Sequence, residues 1–402
     1  MSATEGKIVY LIPEEPPASP YETYARIAIQ VVSIGVTIAG GYMAYSIAKE
    51  VLSSLSADKK TKEVNRKKLA ERLKRPELET MDFNDYEGRL LNDVLGPDEL
   101  QVSFEDVGGL ATQVEEVHDN IVLPIQLWTY SKSYDRIVPC PNGVLLYGAP
   151  GTGKTLIAKA IAKESGATFI NIKASSIFDK FFGESDRLVT ALFSLGKKLG
   201  PSIIFIDEVE TLLRKRDGNI SGNPALASLQ SLLLTEWDGL SVERNEELKQ
   251  QSANKSVIST PPVVVLGATN RPSDIDPAFL RRMPVQIQTK IPDLQARLEI
   301  FQAQLKNEKL SEDVDLEDLA EATEGYSGSD IKELIRIAHL QRIKEVKNSL
   351  KDSIKNKGTS SSKGLKLTPQ RDLNQRDFEL ALERTKMTGK STPSYSILFP
   401  DI

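Results

Sequence analysis

Two short stretches of this 402-residue chain carry side chains whose types and spacing can do chemistry. The first is Gly148-Ala149-Pro150-Gly151-Thr152-Gly153-Lys154-Thr155, which fits the pattern G-x-x-x-x-G-K-[ST]. Backbone N–H groups freed at such a turn, and at the helix that follows it, bind anionic phosphate. Gly151 and Gly153 let the main chain approach closely. Lys154 reaches the β- and γ-phosphates, and the Thr155 hydroxyl supplies an oxygen for Mg²⁺. The second stretch is Asp207-Glu208, which closes the apolar run Ile203-Ile204-Phe205-Ile206. Acid pairs after strands otherwise serve as caps or solvated ends. About 55 residues beyond a phosphate-binding loop, this pair fits a Walker B motif. Asp207 would hold the hydrated Mg²⁺, and Glu208 would polarise the attacking water. The two stretches predict a nucleoside triphosphate site.

The elements needed to position these groups are legible around them. Val144-Leu145-Leu146-Tyr147 is a buried-strand run immediately before the loop. Leu156, Ile157, Ala160 and Ile161 then recur at helical spacing until Gly166 offers a stop. Further apolar runs fall at Phe169–Ile172, Ile203–Ile206, Val263–Leu266 and Val285–Ile287. Five strands alternating with helical stretches predict an α/β fold, a five-stranded parallel sheet flanked by helices. The chain has 51 basic and 56 acidic residues and a net charge of −5, so nucleic acid is not a predicted partner. A single cysteine, Cys140, forms no internal disulfide, and with two histidines it leaves no transition-metal set.

The amino-terminal part has a different character. Residues 1–24 are polar and punctuated by proline, as a disordered segment is. Ile27 to Ala48 carries no charge, and at about 1.5 Å per residue its length of about 22 residues matches a bilayer core. Tyr21, Tyr24, Tyr42 and Tyr45 lie near its two ends, as interfacial aromatics do. Acidic residues precede the run and Lys/Arg residues follow it, so the positive-inside rule places the carboxy-terminal bulk in the cytosol. The expected division is a disordered 1–24, a transmembrane helix over 25–48 and a charged connector over 49–100. A large ATPase domain over 101–291 and a small helical lid with tail over 292–402 follow. Residues 241–262, polar and rich in Ser, Asn and Lys, are expected to be a surface insertion. Residues 352–366 are expected to be a loop within the lid.

The motifs taken together resemble the AAA ATPase family. They are Ser103–Leu110, the phosphate-binding loop, Asp207-Glu208, Ala268–Pro272, Leu280-Arg281-Arg282 and Gly325–Asp330, in the family's order and covering about residues 100 to 390. Leu127-Trp128, Phe178–Ser185 and Leu234–Leu240 look most like one subgroup, the membrane-anchored mitochondrial sorting proteins, or outer mitochondrial transmembrane helix translocases. The resemblance implies ATP and Mg²⁺ as ligands. Nucleotide contacts would come from Asp106, Val107, Gly108, Pro150, Gly151, Thr152, Gly153, Lys154, Thr155, Leu156, Gly328 and Ser329, with Thr155 and Asp207 at the metal. Asn270 would act as sensor 1 beside Glu208. Arg281 and Arg282 would be arginine fingers reaching the neighbouring subunit's γ-phosphate, which requires a homo-oligomer, a hexamer by the family's habit. Phe181 and Phe182 match the central pore loop, where close relatives carry a tryptophan–tyrosine pair, and Asp217–Pro224 looks like a second pore loop. Clients implied by the subgroup are mislocalised tail-anchored membrane proteins. The implied location is the mitochondrial outer membrane, single-pass, with peroxisomes as a second address. The rival readings are a microtubule-severing or filament-disassembling relative, and a non-hydrolysing membrane scaffold.

Overall fold

The computed structural model describes residues 64, 66–131, 138–179, 184–215, 224–252, 260–357 and 371–385. The chain divides into two compact units, Met1–Asn65 and Arg66–Ile402. The sheet of the second unit is built from β1 (Val94–Leu95), β2 (Gly143–Gly148), β3 (Thr168–Lys173), β4 (Ser202–Asp207), β5 (Val263–Thr269) and β6 (Val285–Thr289), in the order β1-β3-β4-β5-β2-β6. The five expected strands are present and parallel. The sheet is nevertheless six-stranded and mixed, because β1 pairs antiparallel with the β3 edge, Val94 opposite Ile170. Two residues framed by Asp93 and Gly96 leave no alternating pattern to read, so this strand escaped the sequence.

Strand alternation sorts the core onto two faces. Leu145, Ile170, Ile172, Ile204, Ile206 and Val265 bury on one side. Val144, Leu146, Phe169, Ile203, Phe205 and Leu266 bury on the other, where the Phe169 and Phe205 rings stack 5.6 Å apart. The first face is covered by α1 (Asp85–Leu90) at its rim and by later helices. The second face is covered by α2 (Ala111–Val117), α3 (Leu123–Tyr130) and α4 (Lys154–Ser165). Glycines set the ends of α4. Gly153 enters it at φ +93° and Gly166 ends it at φ +71°, a region open to glycine at little cost. Residues 66–100, assigned to a connector by sequence, pack Leu69, Leu78, Leu90, Leu91 and Val94 into the first face's core.

Downstream come α5 (Ala174–Asp179), α6 (Ser185–Lys198), the single turn α7 (Glu210–Leu213), α8 (Pro224–Ser252) and the single turn α9 (Pro277–Leu280). The lid follows as α10 (Leu294–Leu305), α11 (Leu316–Ala322), α12 (Gly328–Lys357) and α13 (Gln375–Leu382), around Phe301, Leu319, Leu334 and Phe378. Two expectations change here. Residues 241–252 of the expected insertion continue α8 as helix, and 352–357 of the expected loop continue α12. Polar composition marked both as loops, but long polar helices carry the same residues. No helix among the described residues is long and apolar enough to cross a membrane. The predicted span Ile27–Ala48 lies outside the described residues.

Candidate active site

The strand order puts the carboxyl ends of β4, β5 and β2 side by side, and each delivers one predicted group. From β2 the chain turns through the phosphate loop into α4. Gly148 sits at φ +154° against β6, where a Cβ would fall 2.0 Å from the Thr289 carbonyl oxygen. Gly151 at φ +77° lies against the lid, with space for a Cβ blocked by the Ser327 hydroxyl at 2.6 Å. Thr152 donates to the Ala149 carbonyl at 2.8 Å and shares a hydrogen with the Thr289 hydroxyl at 2.7 Å. The loop is thereby fixed from below.

Lys154 is buried, and its Nζ donates to the Gly148 and Ala149 carbonyls at 3.0 and 2.7 Å. Burial pushes its pKa down to about 8, against the opposing pull of the Asp207 and Glu210 carboxylates. The Thr155 hydroxyl donates to Asp207 Oδ2 at 3.2 Å, bringing the two predicted metal ligands into contact. Glu208 follows at φ +52°, a left-handed conformation uncommon for a residue with a Cβ. The turn is held by Glu208 N–H donating to Asp207 Oδ1 at 3.0 Å, and by the Thr211 hydroxyl donating to the Glu208 carbonyl at 2.7 Å. Its side chain remains exposed at the mouth of the site. Strain at such a position persists where the surroundings over-determine it, and such residues cluster at functional sites.

Lys154, Thr155, Asp207, Glu208 and Asn270 line one cleft of about 410 Å³, together with Asp106, Gly108, Pro150, Gly151, Thr152, Gly153, Leu156, Gly328 and Ser329. Asp106 accepts from the Ser103 N–H and hydroxyl at 2.8 and 2.9 Å, which hold its carboxyl below the usual carboxylate range. The lid closes the far wall. Ser329 N–H donates to the Gly151 carbonyl at 3.1 Å, and Gly109 N–H donates to Glu299 Oε2 at 3.1 Å. Ser327 caps α12, its hydroxyl accepting from Asp330 N–H at 3.3 Å. Val107 is placed differently from the rest, its side chain buried in the second-face core and absent from the cleft lining.

Lys290, Ile300, Gln304 and Lys332 also line the cleft and were missed in the sequence. Ile300 and Gln304 sit four apart on α10, so they share a face. Lys332 lies one turn past Ser329, and that offset was the available signal for it. Arg281 and Arg282 stand outside the cleft lining, after α9. Arg281 is exposed. Arg282 makes two bonds to Asp238, Nε to Oδ1 at 2.7 Å and Nη2 to Oδ2 at 2.6 Å. Phe181 and Phe182 lie outside the described residues, as does most of the expected second pore loop.

The donor set suits Mg²⁺. No cluster of three or more His, Cys, Asp or Glu residues able to hold a metal occurs among the described residues. A metal here would take the Thr155 and Asp207 oxygens and fill its sphere with phosphate and water, which is how Mg²⁺ is commonly held.

A family model for the ATPase family associated with various cellular activities (AAA) matches residues 144–291, and one for the AAA+ lid domain matches residues 313–355. A relative from Danio rerio named outer mitochondrial transmembrane helix translocase is 38% identical over 312 residues, 78% of this chain and 77% of the relative. The chain belongs to the outer mitochondrial transmembrane helix translocase family of AAA ATPases. It is an ATPase. Among solved structures, the AAA domain of FIGL-1 in complex with ADP is similar at 28% identity and a TM-score of 0.58, over 77% of this chain and 92% of that one. A katanin structure concerned with self-assembly is similar at 26% identity and a TM-score of 0.56, over 77% of this chain and 93% of that one.

Proposed function

We propose that this chain hydrolyses ATP with Mg²⁺ in an oligomeric ring, a hexamer, and uses the work to extract tail-anchored membrane proteins from a bilayer. The observation that carries the hydrolytic reading is the convergence of Lys154, the Thr155–Asp207 pair, Glu208 and Asn270 on one cleft. Bound Mg²⁺ supplies charge neutralisation at the phosphates, with Thr155 and Asp207 as its protein ligands. Lys154 exchanges its carbonyl partners for the β- and γ-phosphate oxygens. Glu208 and Asn270, on adjacent strand ends, orient the attacking water, and Glu208 takes up its proton. Backbone at Asp106–Gly108, with Gly328 and Ser329 of the lid, encloses the adenosine. An arginine donated across the subunit boundary stabilises the transition-state charge.

The extraction reading is supported by the name of the Danio rerio relative and by the uncharged Ile27–Ala48 run, which we assign as the single membrane anchor. The work is done at the mitochondrial outer membrane and at peroxisomes, with Phe181 and Phe182 gripping the client in the pore. The proposed division is 1–24, 25–48, a connector over 49–100 whose residues 66–100 pack onto the sheet, 101–291 and 292–402.

Glu208→Gln in the full chain tests both parts. It should bind ATP normally, hydrolyse it about 10²–10⁴-fold more slowly and retain membrane-protein clients in crosslinking. A wild-type rate would remove Glu208 from catalysis. Recovery of tubulin, or of no membrane protein, would overturn extraction while leaving the ATPase assignment standing.

A further inference from the structure

One wall of the nucleotide cleft is the surface of α10, and that helix is fixed to the segment facing it at three points. Gly108 lies flat on the helix, where a Cβ would fall 2.7 Å from the Glu299 carbonyl oxygen and 2.9 Å from Ile300 Cα. The Glu299 carboxylate accepts from Gly109 N–H at 3.1 Å. Lys306, just past the end of α10, meets the Glu105 carboxylate at 3.4 Å. Ile300, Ala303 and Gln304 line the cleft from this fixed helix, and their spacing of three and four puts them on one face. Most polar groups opposite them are already spent. Asp106 N–H donates to the Ser103 carbonyl and Val107 N–H to the Phe104 carbonyl, each at 3.1 Å, while Gly109 N–H goes to Glu299. Asp106 Oδ2 already accepts from Ser103 twice. Gln304 is different. It is exposed in the cleft and makes no hydrogen bond among the described residues. Among the residues that α10 and the 106–110 segment give to the lining, it alone carries both a donor and an acceptor on its side chain.

We propose that Gln304 selects adenine by reading the base edge that carries N6 and N7: its amide oxygen accepts from the 6-amino group and its amide N–H donates to N7. A glutamine amide matches adenine bidentately at those two positions. Guanine presents two acceptors there, O6 and N7, so the amide oxygen is left facing a carbonyl. A site built to hydrogen-bond one substrate rejects another chiefly through the polar group left unpaired. Ile300, one turn earlier on the same face, gives the ring an apolar surface beside this polar tip. The inference rests on ATP occupying the cleft with its base between α10 and the 106–109 segment, and the experiment separates the two ideas.

Binding is measured on full-length protein carrying Glu208→Gln, which is expected to hold nucleotide with little turnover. The probes are ATP, GTP, 7-deaza-ATP, which lacks N7, and purine riboside triphosphate, which lacks the 6-amino group. With Gln304 in place, loss of either N7 or the amino group should weaken Kd by about 3–10-fold. GTP should bind about 10–100-fold more weakly than ATP. Adding Gln304→Leu should weaken ATP binding by about 10–50-fold, abolish the difference between ATP and 7-deaza-ATP, and remove most of the preference over GTP. Adding Gln304→Glu instead keeps an acceptor for the amino group but sets a carboxylate against N7. That protein should still discriminate against purine riboside triphosphate and should bind 7-deaza-ATP more tightly than ATP. A merely structural role for Gln304 gives no such inversion. An unchanged ATP-to-GTP ratio after Gln304→Leu overturns the proposal. So does equal binding of ATP and 7-deaza-ATP while Gln304 is present, and in both cases the triphosphate reading of the cleft stands. Failure of the Glu208→Gln protein to bind ATP at all would overturn that reading and the proposal with it.

Discussion

Lys154 gives the sharpest quantitative test of the site. Its pKa is about 8, below the ordinary 10.5, because the buried ammonium has lost water. That displacement is worth about 3 kcal/mol against the charged form. A triphosphate beside the ammonium supplies the opposite charge that burial lacks and raises the pKa again. Nucleotide binding at alkaline pH therefore takes up a proton at Lys154, and affinity falls as the free protein loses that proton. With a free-state pKa of about 8 and a bound-state value above the range tested, Kd should weaken from pH 7.5 by about 1.5-fold at pH 8, about 8-fold at pH 9 and about 25-fold at pH 9.5. Calorimetry of ATP analogue binding to the Glu208→Gln protein, in buffers of differing ionisation enthalpy, measures both the affinity and the proton taken up. Lys154→Ala serves as the reference for titration of the nucleotide itself and should bind weakly with a flat profile. The stability of the ligand-free protein must move in the matching direction. A lysine whose folded pKa is depressed binds fewer protons folded than unfolded between about pH 8 and 10.5, so its contribution to stability rises with pH across that window and is lost as pH falls through 8. Lys154→Met should accordingly raise the ligand-free melting temperature at pH 7 and lose that advantage toward pH 10. A Kd unchanged from pH 7.5 to 9.5 would refute the coupling of this buried ammonium to phosphate.

Two further perturbations probe how the site is carried. Gly148→Ala places a methyl 2.0 Å from the Thr289 carbonyl oxygen, backbone that cannot swing aside, so nucleotide binding should be lost and the melting temperature should drop even though glycine-to-alanine changes are often mild. Lys198→Met removes the charged partner of Glu87, a fully buried carboxylate 2.7 Å from Lys198 Nζ that still accepts from Asn84 N–H and the Ser194 hydroxyl, and should cost about 1–3 kcal/mol in denaturant melts. Glu87→Gln added to Lys198→Met should recover part of that loss, and failure to do so would mean that the residues before 101 are not docked through this pair.

The chemistry was more legible than its surroundings. The phosphate loop and Asp207-Glu208 could be read because each sits at the end of a buried strand, where an apolar run and a polar residue meet in sequence; Asn270 came only with the family resemblance. The walls of the cleft contributed by Ile300 and Gln304 could not, since a helix surface facing a nucleotide has the same composition as one facing the core. The φ of +52° at Glu208 has no sequence signal either, because glutamate there breaks the usual preference for glycine in that region. The twinned arginines show a third limit. The family resemblance implied two fingers, and nothing near them in sequence signalled that Asp238 pairs with Arg282.

The same geometry explains why the lid belongs to the site rather than beside it. Gly151 lines the cleft, and its carbonyl accepts from Ser329 N–H at 3.1 Å. A Cβ at Gly151 would strike the side chains of Ser327 and Ser329 together, so the loop packs directly on the start of α12. Ser327 in turn is locked by Asp330, which accepts from its N–H and hydroxyl at 2.9 and 2.8 Å, making the cap one rigid corner. Across the cleft, the Glu299 carboxylate of α10 accepts from Gly109 N–H at 3.1 Å, so the lid touches both segments that line the cleft through their backbone groups. Backbone contacts of this kind leave little slack to absorb a shift. A displacement of the phosphate loop must therefore be accommodated by moving α12 or by breaking the Ser329 bond, and either result reaches the lid.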